Sequence, residues 1–597
     1  MNTTIPLQEL FNSAVFRIPQ YQRAYSWEET PQLAAFIDDL RQQSLAQQKN
    51  SEKQYFMGTL LLHQTQASPI EYDIVDGQQR LTTTVIFIAT GLEIIGKNKK
   101  LDTKTIKLLR RAFVFDEDLE MQKFHTIQED NPLFRMNVLK LHGDKVANSD
   151  SPSMRKLLEA QDYFKKTIAV DEWAKLIPIV ARAQVITYIV DNPADATQIF
   201  ELQNDRGKKL TDLEALKSYL MHAIYLSAKN PEDLLETIQT LFAKVYRIIE
   251  SLSRFEQSPD EDSILSYHCA GFVDWKYEEW RDPKNLVKAT LAKVSHDKKP
   301  DWVLDFSNQL LQSYQSVLAM LEALDYMQEL SELVVLDRMA SFWPLLIKIW
   351  RYDMQDTKSQ FVLCCRLMEI FAFKGYAIAG VRADTGASHL RRWAREFCGD
   401  FSWLSNNLTN LSLWWDIPVR FTQNINSPYF YNFSKADVKY ILWKYENNLR
   451  SKHAQHQPLL TWRDFLCKDP KKKFSVEHIS PQTDTGNTKI VKWMDDTEGE
   501  FQELALHRLG NLVLDTVSLN SSKQNAAVWK KLEQSQFKSS ILSEKEISLW
   551  AEKTKGKLRW TIKSIQERHA VLLEFANKTW DPAVYYRATT QKEESEE

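Results

Sequence analysis

The chain has 597 residues, with 76 Lys and Arg against 79 Asp and Glu, a formal net charge of -3. That length exceeds what one hydrophobic core holds and predicts two to four domains, while the near-neutral balance excludes a uniformly basic nucleic-acid binder but not local basic patches. Only 15 Gly and 19 Pro, about 2.5% and 3% against usage near 7% and 5%, exclude a turn-rich all-β sandwich or propeller and any collagen-like chain. Hydrophobics at 43%, charged residues at 26% and 18 Trp fit a soluble, helix-rich protein with aromatic-filled cores. Cys269, Cys364, Cys365, Cys398 and Cys467 include no C-x-x-C pair, so neither a zinc knuckle nor a disulfide framework is expected, and a reducing cytoplasm fits best. The start, MNTTIPLQEL, has no basic region followed by an apolar one, so no signal peptide is expected. Apolar windows such as Ala340 to Trp350 are too short to span a bilayer. The expectation is a cytoplasmic protein with no membrane partner.

Taken in chain order, Phe16-Arg17-Ile18-Pro19 reads as a short edge strand, its proline limiting it to an edge or an end. Tyr55 to His63 and Glu71 to Val75 read as two further strands joined at Ser68-Pro69. After Asp76-Gly77 the pattern turns helical over Leu81 to Ile95, with apolar residues on more than one face. Gln184 to Val190 is a third β-like run, and Asn204 to Leu220 switches from polar to helical. Residues 1–225 thus read as a small α/β domain with a helical insertion. From 226 to 450 the pattern is helical; residues 310, 311, 314, 317, 318, 321 and 324 are all apolar, as one helix face requires. No fixed-period repeat occurs, which argues against a solenoid. The composition shifts over 452–474, a domain boundary, leaving 451–585 as a last domain and an acidic tail, 586–597, expected to be disordered.

Asp76-Gly77-Gln78-Gln79-Arg80 lies where a strand ends and a helix begins. Free backbone N–H groups and the helix dipole favour an anion there. Arg80 offers a fork for phosphate oxygens, Asp76 a ligand for a cation or water, the glutamines a means to orient water, and Thr82-Thr83-Thr84 hydroxyls one turn on. Alone, five residues without a Walker lysine read first as a turn and a surface ion pair. Three other segments accompany them: RIPQYQRAYSW over Arg17 to Trp27, Phe56-Met57-Gly58-Thr59, and FELQNDRGKKLTDLEALK over Phe200 to Lys217.

Together these motifs resemble the N-terminal domain of GmrSD-type modification-dependent restriction enzymes, a ParB-like nucleotide-hydrolysing module, over roughly the first 225 residues. The resemblance implies a ParB/sulfiredoxin-like α/β fold and a nucleotide-hydrolysis site at Asp76, Gly77, Gln78, Gln79 and Arg80. It adds Arg23, and Asn204 and Arg206 with Gly207, facing the same pocket. Asp212 and Lys217 are read as supporting their helix. The nucleotide, whether ATP, GTP, UTP or CTP, is not specified, and Asp205 stands where the family commonly has Ser.

The second constellation is Val476-Glu477-His478-Ile479-Ser480-Pro481-Gln482, followed by Gly510-Asn511-Leu512-Val513-Leu514 and Leu519-Asn520-Ser521-Ser522-Lys523-Gln524-Asn525. Adjacent acid and His on a strand point to opposite faces, so one can hold a metal while the other addresses a phosphodiester. Neutral His suits proton abstraction near pH 7. The order strand–loop–strand–helix is that of an HNH (ββα-metal) nuclease, here embedded in helices. The resemblance implies His478 as general base, Glu477 and Asn520 as ligands of Mg²⁺ or Mn²⁺ (with Asn525 competing for Asn520), and Asn511 as a brace. No zinc is expected. Glu477 replaces the commoner Asp, and His507 is read as structural.

Residues 521–570 carry eleven Lys and Arg against five Glu, and 92–112 seven against two acids. Each stretch is either a solvated helix face or a phosphate contact. Lys523, Lys530 and Lys531 are the candidate DNA contacts, while Arg391-Arg392-Trp393 and Trp529 are read as helix packing. The fold expected is α+β and predominantly helical. The function expected is a nucleotide-regulated, type IV restriction endonuclease acting on modified phage DNA, with a homodimer among the partner expectations. The alternatives are a regulatory DNA-binding protein with an inactive HNH domain and an HNH RNase toxin.

Overall fold

The computed structural model describes residues 3–49, 54–98, 101–141, 151–190, 211–276, 281–432, 435–453, 457–480, 482, 502–523, 530–531, 539–554 and 557–584. The protein is predominantly helical with a smaller share of sheet, an α+β architecture. Among the described residues no helix is long and apolar enough to cross a membrane. The chain divides into two compact units, Met1–Cys269 with Glu278–Leu318, and Ala270–Tyr277 with Ala319–Glu597. The helices of 226–450 are therefore shared between two units, and both sides of the 452–474 stretch fall in one.

The sheet of the first unit contains β1 (Thr3–Pro6), β2 (Val15–Arg17), β3 (Phe56–Ala67), β4 (Ile70–Asp76), β5 (Phe124–His125) and β6 (Gln184–Val190), in spatial order β1-β6-β3-β4-β2-β5. Strands β3 and β4 form an antiparallel hairpin around Ser68-Pro69, β6 runs parallel to β3, and β2 runs parallel to both β4 and β5. The edge position expected for Phe16–Pro19 is corrected. β2 is interior, and Pro19 lies past its end, where the missing N–H costs no ladder bond.

Helix α1 (Gln78–Asn98) starts directly after Gly77, whose φ of +94° suits glycine. A Cβ at Gly77 would also stand 2.4 Å from the Leu60 side chain. Every residue of α1 from Leu81 to Leu92 is buried, so this is a central helix and not an amphipathic surface one. Its polar residues are satisfied locally. The hydroxyls of Thr82, Thr84 and Thr90 donate to the carbonyls of Gln78, Arg80 and Ile86 at 2.7, 2.8 and 2.6 Å, and Thr83 meets the Tyr25 hydroxyl at 2.8 Å. None of the three threonines 82–84 therefore presents its hydroxyl to a ligand, as the sequence had suggested. Helix α2 (Asp212–Ser227) is closed by a capping box of Thr211 and Glu214.

In the second unit, helix α3 (Lys435–Lys452) packs across a two-stranded antiparallel sheet of β7 (Phe474–His478) and β8 (Leu512–Thr516). Helix α4 (Val517–Lys523) follows β8 directly, and α5 (Ile562–Thr579) packs against the turn at Leu509–Asn511. Elsewhere in this unit a buried ionic network joins three helices. Arg366 Nη1 donates to Glu332 at 3.1 Å and Glu369 at 3.0 Å; Lys444 meets Glu332 at 2.5 Å. Tyr440 Oη and Trp580 Nε1 both donate to Glu369 Oε1, at 2.7 and 2.8 Å. Two carboxylates against two cations, each hydrogen-bonded, keep the desolvation cost tolerable and admit one helix packing. Glu369→Leu should cost about 3–5 kcal/mol by taking one of two carboxylates from Arg366 and the Oε1 acceptor from Tyr440 and Trp580. Urea unfolding of the variant checks this, and a loss below about 1 kcal/mol, the scale of an ordinary hydrogen bond, would contradict it.

Candidate functional site

The first motif sits at the β4–α1 junction, and most of its side chains are engaged with backbone. Gln79 accepts from Ser26 N at 2.9 Å and donates to Ala24 O at 3.1 Å, pinning the Tyr21–Trp27 segment to α1. Gln22 reinforces this by donating to Val75 O at 2.9 Å. Arg80 folds back onto β3, donating to Met57 O at 2.9 Å and Thr59 O at 2.7 Å, with Asp76 at 3.6 Å. Gly58, at φ +107°, makes room for it; a Cβ there would lie 2.1 Å from Arg80 Nη1. The expected phosphate fork of Arg80 is thus committed to carbonyl oxygens, and Gln79 to holding a loop.

Asp76 and Gln78 differ from these. Burial raises the Asp76 pKa above the usual carboxylate value, with Arg80 opposing it. Gln78 Oε1 is buried, and among the described residues nothing donates to it. Arg23 reaches Glu261 at 3.5 Å. Lys217, wholly buried, donates to Tyr21 O at 3.0 Å, and burial lowers its pKa to about 8. It supports the same loop from α2. Asn204 and Arg206 lie outside the described residues.

At the second motif, Glu477 and His478 leave β7 on opposite faces, paired across the ladder with Val513 and Leu512. Glu477 faces Lys531, whose Nζ donates to Oε1 at 2.6 Å and to His478 O at 2.9 Å. Burial raises the Glu477 pKa against the pull of Lys531. His478, 3% exposed, has Nε2 3.2 Å from His507 Nδ1 and Nδ1 2.9 Å from Gln482 Nε2. Burial, helped by His507 and the cations of Lys531 and Lys435, lowers its pKa to about 3, so the imidazole is neutral at pH 7.

Asn511 is fully buried. Its Oδ1 accepts from Ser480 N and Trp560 Nε1, both at 3.0 Å, and Nδ2 donates to Leu506 O at 2.8 Å. Asn520, on α4, donates from Nδ2 to Ser475 Oγ at 3.1 Å and Val476 O at 3.3 Å, tying that helix to β7.

Two family models match this chain: GmrSD restriction endonuclease, N-terminal domain, over residues 7–221, and GmrSD restriction endonucleases, C-terminal domain, over residues 418–575. The chain belongs to the GmrSD restriction endonuclease family. No curated protein matches it. The first match spans the β4–α1 motif, and the second spans Glu477, His478, Asn511 and Asn520. Membership implies nuclease action on DNA, an activity for which restriction endonucleases generally use divalent metals.

Within this GmrSD chain two of the expected DNA contacts are corrected. Lys523 is 3% exposed, bonded to Asp515 at 2.9 Å and also to Glu544, and Lys531 is buried on Glu477. An ammonium group between buried carboxylates is not offered to phosphate. Lys530 is exposed, and Asn525 lies outside the described residues. Sequence reasoning missed Tyr431, whose ring stacks on His507 at 5.7 Å and edges onto His478 at 4.4 Å. It also set aside His507, although that residue stands only three positions before Gly510-Asn511.

A further buried histidine, His569 on α5, meets Asn426 Oδ1 at 3.3 Å, and burial lowers its pKa to about 4. A depressed folded pKa means that the unfolded chain binds the proton more tightly. The neutral ring thus contributes stability above pH 6.5, and that contribution is lost as pH falls toward 4. His569→Gln, which keeps an amide donor for Asn426, should remove on the order of 2–3 kcal/mol of this acid sensitivity. Thermal unfolding of both proteins between pH 4 and 7 checks it; identical slopes would contradict it.

Proposed function

We propose that this chain is a nucleotide-regulated endonuclease that cuts modified DNA in defence against phage, with a ParB-like nucleotide-hydrolysing first unit and an HNH site in the second. The observation that carries the reading is the end of β7. Glu477 and His478 face opposite ways there, Asn511 fixes the chain beyond, and Asn520 is bonded to the same strand. In this reading His478 takes a proton from water as the water oxygen bonds to phosphorus and the P–O3′ bond breaks. In this reading the protein donors are the Glu477 carboxylate and the oxygen end of the Asn520 amide; among the described residues no three His, Cys, Asp or Glu cluster as metal ligands. Both are hard oxygen donors, and the carboxylate already holds one cation, the Lys531 ammonium, at 2.6 Å. A Mg²⁺ or Mn²⁺ ion held by Glu477 and Asn520 would neutralise charge on the phosphate and the departing oxygen.

For the first unit, the α1 N-terminus with Gly77 offers backbone N–H groups to a nucleotide phosphate. The Gln78 Oε1 acceptor suits a water or a sugar hydroxyl, and Asp76 stands beside it. Gln79, Arg80 and Lys217 support this surface by holding its loops.

The direct test is purified protein with Mg²⁺ or Mn²⁺, with and without ATP, GTP, UTP or CTP, on unmodified, glucosylated hydroxymethylcytosine and phosphorothioate DNA and on RNA. His478→Ala should abolish cleavage and leave nucleotide hydrolysis unchanged; Asp76→Asn should lower hydrolysis at least tenfold, a loss of roughly 1.4 kcal/mol or more in transition-state stabilisation. Cleavage by His478→Ala at the wild-type rate would remove the nuclease assignment. The metal role has its own readout. Lys531→Met leaves Glu477 buried without a cation, so its unfolding midpoint in EDTA should drop, and Mn²⁺ should restore it more than it raises the wild type. Equal Mn²⁺ shifts in both proteins would exclude Glu477 as a ligand.

A further inference from the structure

Both imidazoles beside β7 have defined partners, and these fix their tautomers. The Gln482 amide nitrogen can only donate, so His478 Nδ1, 2.9 Å away, is the acceptor. A neutral ring has one N–H, which then sits on Nε2 and is donated to His507 Nδ1 at 3.2 Å. That leaves the proton of His507 on its own Nε2. These tautomers are assigned from hydrogen-bond partners. Gln482 is exposed, so the basic nitrogen of His478 faces a side chain that a water can replace, while its N–H is anchored inward.

We infer that His507 is a positioning residue for the general base, locking His478 in the tautomer whose Nδ1 lone pair points outward, and that Tyr431 holds His507 in place. This rests on the nuclease reading above. Tyr431 fixes both rings at once. It lies within 10° of parallel to His507, stands at 76° to His478 with ring centroids 4.4 Å apart, and its backbone N donates to His507 O at 3.0 Å. An acceptor on the inward N–H raises the basicity of the outward nitrogen. As Nδ1 takes the proton from water, the Nε2–H···Nδ1 bond to His507 becomes charge-assisted and stronger. The contact therefore acts more on the transition state than on substrate binding.

Steady-state cleavage by His507→Ala, His507→Phe and His507→Asn tests this, on whichever nucleic acid of the panel above the wild type cuts. Phe keeps the stacking on Tyr431 without an acceptor, whereas Asn offers Oδ1 near the place of Nδ1. Ala and Phe should lower kcat by roughly 10–100-fold with KM unchanged, and Asn should stay within about tenfold of wild type. Wild-type kcat in Ala and Phe, equal loss in Asn and Ala, or a loss confined to KM would each overturn the inference. His478→Ala in the same assay separates the two readings. If it still cuts, or if the wild type cuts nothing in the panel, the nuclease reading falls and the inference falls with it. If His478→Ala is dead while the His507 variants cut normally, the inference alone falls.

Discussion

The site in the second unit depends on one buried amide. Asn511 accepts Ile479 N on its backbone oxygen at 2.9 Å, takes Ser480 N and Trp560 Nε1 on Oδ1, and gives Nδ2 to Leu506 O. Three segments far apart in sequence are thereby tied at one residue: the chain leaving His478, the chain entering His507, and the start of α5. Each bond is made out of water, where an unmade one costs about 1–3 kcal/mol, so the segments have a single low-energy arrangement. Gly510 completes the joint. A Cβ there would stand 2.2 Å from Ile565 O, and the close approach lets Arg568 donate to the carbonyls of Gly510 and Leu512 at 2.9 and 2.6 Å.

The β4–α1 motif follows the same economy with different residues. Gln79 and Arg80 spend their polar atoms on carbonyls and an amide of neighbouring loops, which leaves Asp76 and Gln78 as the motif's side chains nearest to chemistry. A five-residue signature is thus partly architecture: its cation braces a strand, and one of its two glutamines staples a loop. In both units the side chains that would react are held by neighbours that bond to backbone, and backbone partners fix direction more tightly than side-chain pairs, which carry their own rotamer freedom.

Period and turn chemistry made much of the fold legible. The run Gln184–Val190 is a strand over those same residues, the hairpin turns at Ser68-Pro69, and the helix after Asp76-Gly77 is apolar on several faces because it is buried all round. What stayed hidden depends on partners distant in the chain. β2 became interior because its neighbour is the two-residue strand Phe124–His125, too short to leave a pattern. Tyr431 and His507 meet His478 through packing, and no spacing rule reports which imidazole faces which. Asn511 was singled out through the resemblance carried by its Gly-Asn-Leu run, whereas its partners Leu506 and Trp560 left no such local signal.

Charge shows most clearly why burial must be known before electrostatics is assigned. Counted along the sequence, 521–570 is strongly basic, and Lys523 and Lys531 looked like part of a phosphate surface. Folded, both neutralise internal carboxylates, and Arg568 is buried as well. Setting these three aside together with Glu544 leaves eight Lys and Arg against four Glu in the same stretch. The excess survives, so attraction to a polyanion does not need the inner lysines. Their energetic role is different in kind. An exposed lysine acts on a phosphate through a salt-screened field, whereas Lys531 sets the charge balance around Glu477 at 2.6 Å in a buried site. Under the proposed reading, affinity for DNA and readiness of the site would be carried by separate sets of cations, and salt titration would act on the first set while leaving the second nearly unscreened.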